Sequence, residues 1–398
     1  MDKTPAFPFI LILFMILFVG CRYSALEVVE MTVTPSTVLT LTQETEASTE
    51  TATPFAAHTY TSTPATSSTP APTPTSNAYN PLTGQQVTDP ALLDRRPVMI
   101  KISNFPPQKR PHSGLSFADM VFEHYIGEGT NRFSALYYGQ DTIEAGPIRS
   151  GRLVDSQLVN MYAGILGYAS ADRYNTFVLK RDLGDRAISA SQATCPALCN
   201  TGELNVFADT ALLSQYSTQA LGVNNIRYNL DGMVFGPLAR NADADGNLVS
   251  VVFNAINIGE WRYDVETTSY LRWIEDVDES YNVEMIPLVD RLTGEQLAFS
   301  NVIILFAHYE RLSPTRHEID IWDNIDGRPM MLFREGKAYQ GYWKTTPPDE
   351  TSPISFFDVH NNNFLHLKPG NTWIVITGES STLEEDLSGH WIMQFHLP

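Results

Sequence analysis

Hydrophobic and polar positions change their pattern three times along the chain. Residues 6–19 (AFPFILILFMILFV) are almost all apolar, too short a run to span ~30 Å of hydrocarbon, which needs about 20 residues. Residues 31–77 show no periodic apolar face and consist largely of Thr, Ser, Pro and Ala. Folded sequence starts near Tyr79. Residues 97–103 (PVMIKIS), 119–125 (DMVFEHY) and 131–139 (NRFSALYYG) each predict a strand between turn signals. After Gly146-Pro147 the spacing lengthens. Leu153, Leu158, Val159, Tyr162, Ile165 and Leu166 recur every three to four residues and predict an amphipathic helix.

Beyond the polar stretch 241–247 (NADADGN), short β-rich runs follow one another at 249–253, 269–274, 302–306, 330–334, 339–343 and 372–377. Turn signals such as Asp326-Gly327, Glu335-Gly336 and Lys368-Pro369-Gly370 separate them. The expected fold class is therefore α+β: a mixed α/β N-terminal domain over 79–240, then a mostly antiparallel β domain over 249–398.

The apolar run ends in Phe18-Val19-Gly20-Cys21. An apolar stretch, a small residue and then Cys is the order of a bacterial lipoprotein signal, so residues 1–20 read as a signal peptide and Cys21 as the lipidated residue. An uncleaved N-terminal anchor is the alternative. Both place the rest of the chain outside the cytoplasm, tied to a membrane. Residues 21–78 read as a Thr/Ser/Pro-rich disordered stalk, because nothing there offsets the entropy of ordering. As a flexible coil it would reach about 40 Å, and as extended polyproline II about 180 Å.

The net charge is −19 over 398 residues. Seven acids fall between Arg22 and Arg95, and residues 1–22 carry +1, so −13 remains on residues 95–398. That field repels nucleic acid, and any anion site must be a local basic pocket. Of the three Cys, Cys195 and Cys199 enclose Pro-Ala-Leu; outside the cytoplasm they can close a small-loop disulfide or stay as two thiols. All six Trp lie in the second half, either as core or as faces for stacking on sugars.

The ordered motifs of the folded part resemble a known family. They are Asn80-Pro81-Leu82-Thr83-Gly84, Arg96-Pro97-Val98, Ser113-Gly114-Leu115-Ser116, Arg132-Phe133 and Gly146-Pro147-Ile148-Arg149-Ser150-Gly151-Arg152. In the second half come Tyr270-Leu271-Arg272, Thr293-Gly294, Gly341-Tyr342-Trp343-Lys344 and Pro369-Gly370-Asn371-Thr372-Trp373. This set resembles the YerB-like lipoproteins, a bacterial family with two domains of unknown function, across residues 80–380. Residues 195–205 (CPALCNTGELN) depart from it. The resemblance implies a location and a domain layout but no reaction.

The sharpest chemical candidate is the stretch 146–152. It lies between a predicted strand and a predicted helix, where backbone N–H groups favour anions. Arg149 and Arg152 add guanidinium forks suited to phosphate or carboxylate, Ser150 lies between them, and Arg132 with Lys101 and Lys109-Arg110 can converge on the same end. The competing expectation pairs these arginines with Glu123, Asp119 or Glu128. The stretch lacks the lysine and spacing of a P-loop. Glu123 and His124 are acid/base partners only if they line a cleft opposite the arginines. No nucleophile elbow or zinc-binding helix is present, so no catalytic residue, cofactor or metal is expected. Asn241, Asp243, Asp245 and Gly246 copy the first half of a calcium loop, but its twelfth position is Val252. The segment reads as a turn between domains.

The expected function is that of a membrane-anchored extracytoplasmic lipoprotein on the cell surface, a non-catalytic binding module. Its ligand would be a cell-wall glycan component, an anionic precursor or a wall-assembly protein, with no nucleic acid partner. An envelope enzyme acting on wall or glycan substrates is the first alternative. A solute-binding lipoprotein is the second, and it requires two similar lobes.

Overall fold

The structure is a computed structural model and describes residues 78–202, 205–238, 240–314, 316–345 and 351–398. The signal peptide, Cys21 and the stalk up to residue 77 lie outside the described residues. The first half supplies β1 (Val98–Ser103), β2 (Met120–Gly127), β3 (Thr130–Tyr137), β4 (Ala145–Ile148), α1 (Leu153–Met161), β5 (Ile165–Tyr168), α2 (Arg173–Leu183), β6 (Ala187–Ser189), β7 (Leu198–Asn200), β8 (Val206–Ala208) and α3 (Thr210–Gln219).

The second half adds β9 (Ala244–Asp245), β10 (Leu248–Asn254), β11 (Asn257–Asp264), β12 (Ser269–Val277), β13 (Val283–Pro287), β14 (Ala298–Phe299), β15 (Asn301–Ser313) and β16 (Arg316–Asp320). It ends with β17 (Arg328–Arg334), β18 (Lys337–Lys344), β19 (Ser355–Asp358), β20 (Thr372–Gly378), β21 (Thr382–Leu387) and β22 (His390–Gln394).

One large sheet runs through both halves in the order β19-β18-β17-β15-β20-β2-β3-β1-β4-β8-β7, with β5 and β6 branching from β1. β20 joins the halves. It pairs in parallel with β15 on one side and with β2 on the other, from Met120↔Thr372 to His124↔Ile376. Every residue of β2 and β20 is buried, which is why both read as near-continuous apolar runs instead of alternating ones. A second sheet, in the order β13-β12-β11-β10-β22-β21, covers part of the first. Strand outweighs helix, 43 % against 14 %, so the fold is mostly β with mixed sheets. The small helical content is consistent with an α+β class, and the two halves share one sheet.

The predicted helix over 153–166 stops at Met161. Ala163 takes a left-handed φ of 48°, and Ile165–Tyr168 then form β5, in parallel register with β1 and β6. α2 begins under the Asp172 carboxylate, which accepts from the N–H groups of Tyr174 and Asn175 at 2.9 and 3.0 Å.

Aromatic rings fill the space between the two sheets. Trp373 meets Trp261, Phe299 and Phe133 edge-on, with ring centroids 5.6, 5.0 and 4.9 Å apart. Trp261, Trp343 and Trp373 are fully buried; these indoles are core and present no stacking face. Arg272 of β12 is buried with them. Its guanidinium lies 4.1 Å from the Trp261 ring and 5.2 Å from the Trp373 ring, facing Glu123 of β2 at 3.5 Å. Gly259 of β11 makes room for it, since a Cβ there would stand 2.2 Å from the guanidinium nitrogens.

Removing one member of a buried ion pair strands the other charge, at a cost of about 3–5 kcal/mol. Arg272→Met is therefore expected to destabilise by that amount in urea titration. Adding Glu123→Gln to it should recover part of the loss. A double variant no better than the sum of the two single effects would show that the pair is not coupled.

Candidate functional site

β2 places adjacent residues on opposite faces of the large sheet, and its two central polar residues enter two separate buried networks. Glu123 faces the second sheet. One of its oxygens accepts from the Trp373 indole N–H at 2.8 Å and the other from the Asn131 amide, while Arg272 supplies the charge. Burial pushes the Glu123 carboxyl up and Arg272 down, and the charge of each opposes the other's shift. Arg110 closes this network through Glu275 at 2.7 Å.

His124 faces the helical side. Lys101 of β1 reaches it there and uses all three ammonium protons, donating to His124 Nε2 at 2.6 Å, Ser134 Oγ at 2.9 Å and Asp155 Oδ1 at 2.8 Å. Because an ammonium only donates, His124 Nε2 is the acceptor and its ring proton sits on Nδ1, toward the Tyr125 carbonyl at 3.4 Å. Ser134 in turn donates to Asp155 Oδ1 at 2.7 Å. The second Asp155 oxygen accepts from the Arg152 backbone N–H at 2.7 Å, closing the first turn of α1. Burial lowers Lys101 to about 8, opposed by Asp155. All four residues are fully buried, so this Ser-Lys-His-Asp set is closed to substrate.

Just outside it stand the three arginines. β4 ends at Ile148, and residues 149–151 run beside the end of β5, with Ala169 N–H donating to Arg149 O at 3.0 Å and Gly151 N–H to Ser170 O at 2.9 Å. Arg149 is thereby placed at the rim, and Arg152 at the N-cap of α1. Arg132 comes across from β3, its Nη1 donating to Ser150 O at 2.7 Å. Arg152 Nη1 donates to Gly151 O at 3.2 Å, and its Nε is buried with no partner among the described residues. Neither Arg132 nor Arg152 makes a carboxylate ion pair there. Burial first, then the Arg152 charge and to a lesser degree Arg149, pull Arg132 down to about 9, with Asp155 opposing. The Asp155 carboxylate acts on both Arg132 and Arg152, but Lys101, Ser134 and the helix end already occupy it; Asp172 adds its charge on the Arg152 side.

The remaining predicted residues fall as follows. Ser150 is at the rim, its Oγ 3.3 Å from Ser170 Oγ. Asp119 serves Asn80 and the N–H groups of Tyr138 and Gly139 and takes no part in the arginine cluster. Lys101 does converge on this end, but Arg110 faces the other network. The pairing of Glu123 and His124 fails: both are buried, on opposite faces of one strand, and line no cleft. Cys195 and Cys199 are joined as a disulfide. Asp243 is bound by Arg240 and His360, each at 2.8 Å, and Asp245 by Lys337. No cluster of three or more His, Cys, Asp or Glu placed for a metal occurs among the described residues. Sequence reasoning missed Asp155 and Ser134. The Arg-x-x-Asp spacing over 152–155, an acid at the third helical position, is the signal that could have found Asp155.

A two-sheet β fold with a buried polar lattice and a basic rim is thus the architecture of this chain. Residues 82–220 match the N-terminal domain, and residues 249–374 the C-terminal domain, of the family described as "Protein of unknown function (DUF3048)". The chain belongs to that family. It is 27% identical over 312 residues to a Bacillus subtilis (strain 168) protein named "Putative lipoprotein YerB", covering 74% of this chain and 85% of that one. Its fold is similar to the crystal structure of YerB protein from Bacillus subtilis, with a TM-score of 0.61 and 24% identity over 75% of this chain and 96% of the other.

Burial, reinforced by Lys101, holds the His124 pKa well below 6.5. The unfolded chain therefore takes up a proton near pH 6.5 that the folded chain refuses. This contribution to stability is complete above pH 6.5 and is lost as pH falls, at up to about 1.4 kcal/mol per pH unit. Chemical denaturation at pH 7, 6 and 5 should show wild type losing stability faster than His124→Gln by that slope. Parallel lines would mean that His124 is not held neutral.

Proposed function

We propose that this chain is an extracytoplasmic lipoprotein, anchored to the membrane through Cys21, whose folded part is a non-catalytic module binding an anionic component of the cell envelope. The name of the Bacillus subtilis relative supports the lipoprotein part of this reading, as does the order of apolar run, Gly20 and Cys21. The observation that carries the binding part is the gathering of Arg132, Arg149 and Arg152 at one rim, where the Asp155 carboxylate near Arg132 and Arg152 is already taken by Lys101, Ser134 and the helix end. Burial above all, and then the neighbouring Arg152 and Arg149 charges, hold Arg132 at about 9, with Asp155 opposing. An anionic ligand supplies what is missing, and guanidinium forks hold phosphate or carboxylate oxygens in charge-assisted pairs. The stalk would give the module reach from the membrane into the wall.

The test is binding of the purified protein to isolated cell-wall sacculi and to lipid-linked wall precursors, at low and high salt. Each charge-assisted contact contributes about 1.5–3 kcal/mol. Arg149→Ala and Arg152→Ala should each weaken binding by about tenfold or more, and salt should weaken the wild type. Wild-type protein that binds neither preparation at either salt concentration would overturn the anion reading.

A further inference from the structure

A groove of about 520 Å³ opens beside the arginine cluster, between α1, α2 and the segment from β16 to Trp322. Its size falls within the ~300–1,000 Å³ of small-molecule sites. Leu153, the residue after Arg152, lines one end, and Gln157 and Asn160 continue along the same helix. The two helices are linked at the arginine end through Asp172, the cap of α2, whose charge acts on Arg152.

The polar groups of this groove are oriented, and the orientation is fixed by what they have already bound. Gln157 Oε1 accepts from the backbone N–H groups of Ile321 and Trp322 at 2.9 and 3.1 Å. Asn160 Oδ1 accepts from Arg186 at 2.5 Å. With both oxygens taken by N–H donors, the amide assignments are determined. The two NH₂ groups have no partner among the described residues. Across from them stands the Glu318 carboxylate, exposed on β16, while Asp182 on α2 is already held through both oxygens by Arg181 of the same lining. Two aromatic residues complete the lining. Tyr174 is 45% exposed, with the Arg316 guanidinium 4.6 Å over its ring, and Trp322 is half-buried.

Aromatic rings, outward amide donors and the Glu318 carboxylate acceptor within one groove match a ring that is apolar on its faces and hydroxylated at its edge. The geometry points to a saccharide site here, beginning at Leu153 next to Arg152: the chain binds a saccharide bearing a phosphate or carboxylate, the anion on Arg132, Arg149 and Arg152 and the sugar against Tyr174 and Trp322. This inference rests on the anion reading above and adds the class of molecule that carries the charge. It also relocates the sugar-facing aromatics, since the buried indoles of the core cannot serve. No bond is made or broken in this binding step.

The test titrates the full chain, in detergent micelles, with inorganic phosphate, N-acetylglucosamine and N-acetylglucosamine 1-phosphate, following binding by calorimetry. The same sugar phosphate carried on a polyprenyl lipid in the micelles separates a membrane source from a free one. The sugar phosphate, in its preferred form, should bind at least tenfold tighter than phosphate or sugar alone. Tyr174→Ala and Trp322→Ala should each remove that gain and leave phosphate affinity unchanged. Tyr174 is exposed enough that its variant keeps the fold. Phosphate and sugar phosphate binding equally, with Tyr174→Ala silent, would overturn the saccharide site and leave the anion reading standing. Absence of binding by phosphate and both sugar phosphates would overturn both.

Discussion

A guanidinium enclosed by two indole rings sets how the parts of this chain meet. Arg272 comes from β12 in the second sheet, Trp373 from β20 at the centre of the first, and Glu123 from β2 in the N-terminal half. A buried charge is costly to desolvate, and only a partner of opposite sign with close packing makes it tolerable. Glu123 is that partner, and Trp373 both flanks the cation and donates to the carboxylate at 2.8 Å. A shift of β20 by one residue against β2 would turn Trp373 away from Glu123 and leave both charges unpaired in the core. The pair thus specifies register as much as it stabilises.

The opposite face of β2 obeys the same constraint with a different outcome. Lys101, His124, Ser134 and Asp155 satisfy one another so completely that none is left to act outward. Asp155 does most of this, tying a lysine in the sheet to the first turn of α1 through its two oxygens. The consequence falls on its neighbours. Arg132 and Arg152 are held close together by hydrogen bonds to backbone carbonyls, and those supply partial charge but no counterion. A fully satisfied interior therefore leaves Arg132 and Arg152 only the charge of carboxylates that are already bound elsewhere.

Much of this was legible in the amino-acid sequence, and what was hidden was hidden for identifiable reasons. The strands over 98–103, 120–127 and 130–137 follow from apolar runs bounded by turn residues. Local pattern carries such information well. Ile165 and Leu166 were misread as helix because a four-residue apolar run has no period of its own and falls in step with the spacing of α1, although Gly164, directly after the break at Ala163, is a helix-stop signal. The pairing of β2 with β20, some 250 residues apart, has no local signature at all. At the site, the arginines stood out against an acidic chain. Asp155 did not, since a single carboxylate acquires meaning only when Lys101 and Ser134 arrive from other strands. Glu123 and His124 show the reverse error: neighbours in sequence look like partners, yet in a strand they face apart.

The charge of the whole chain bears on which anions the rim can accept. Residues 95–398 carry −13, so the long-range field is repulsive to anything negative. At physiological salt that field decays over about 8 Å. An extended polyanion presents many charges to the acidic surface for each one that reaches the arginines, and repulsion grows with its length. A compact ligand with one or two negative groups would meet the repulsion once and then reach partly buried guanidinium groups, where lowered polarity strengthens each contact. On the proposed anion reading, an acidic exterior around these arginines therefore disfavours polymers of charge and favours a short anionic group on a largely neutral molecule. The saccharide site proposed along α1 from Arg152 calls for the same chemistry.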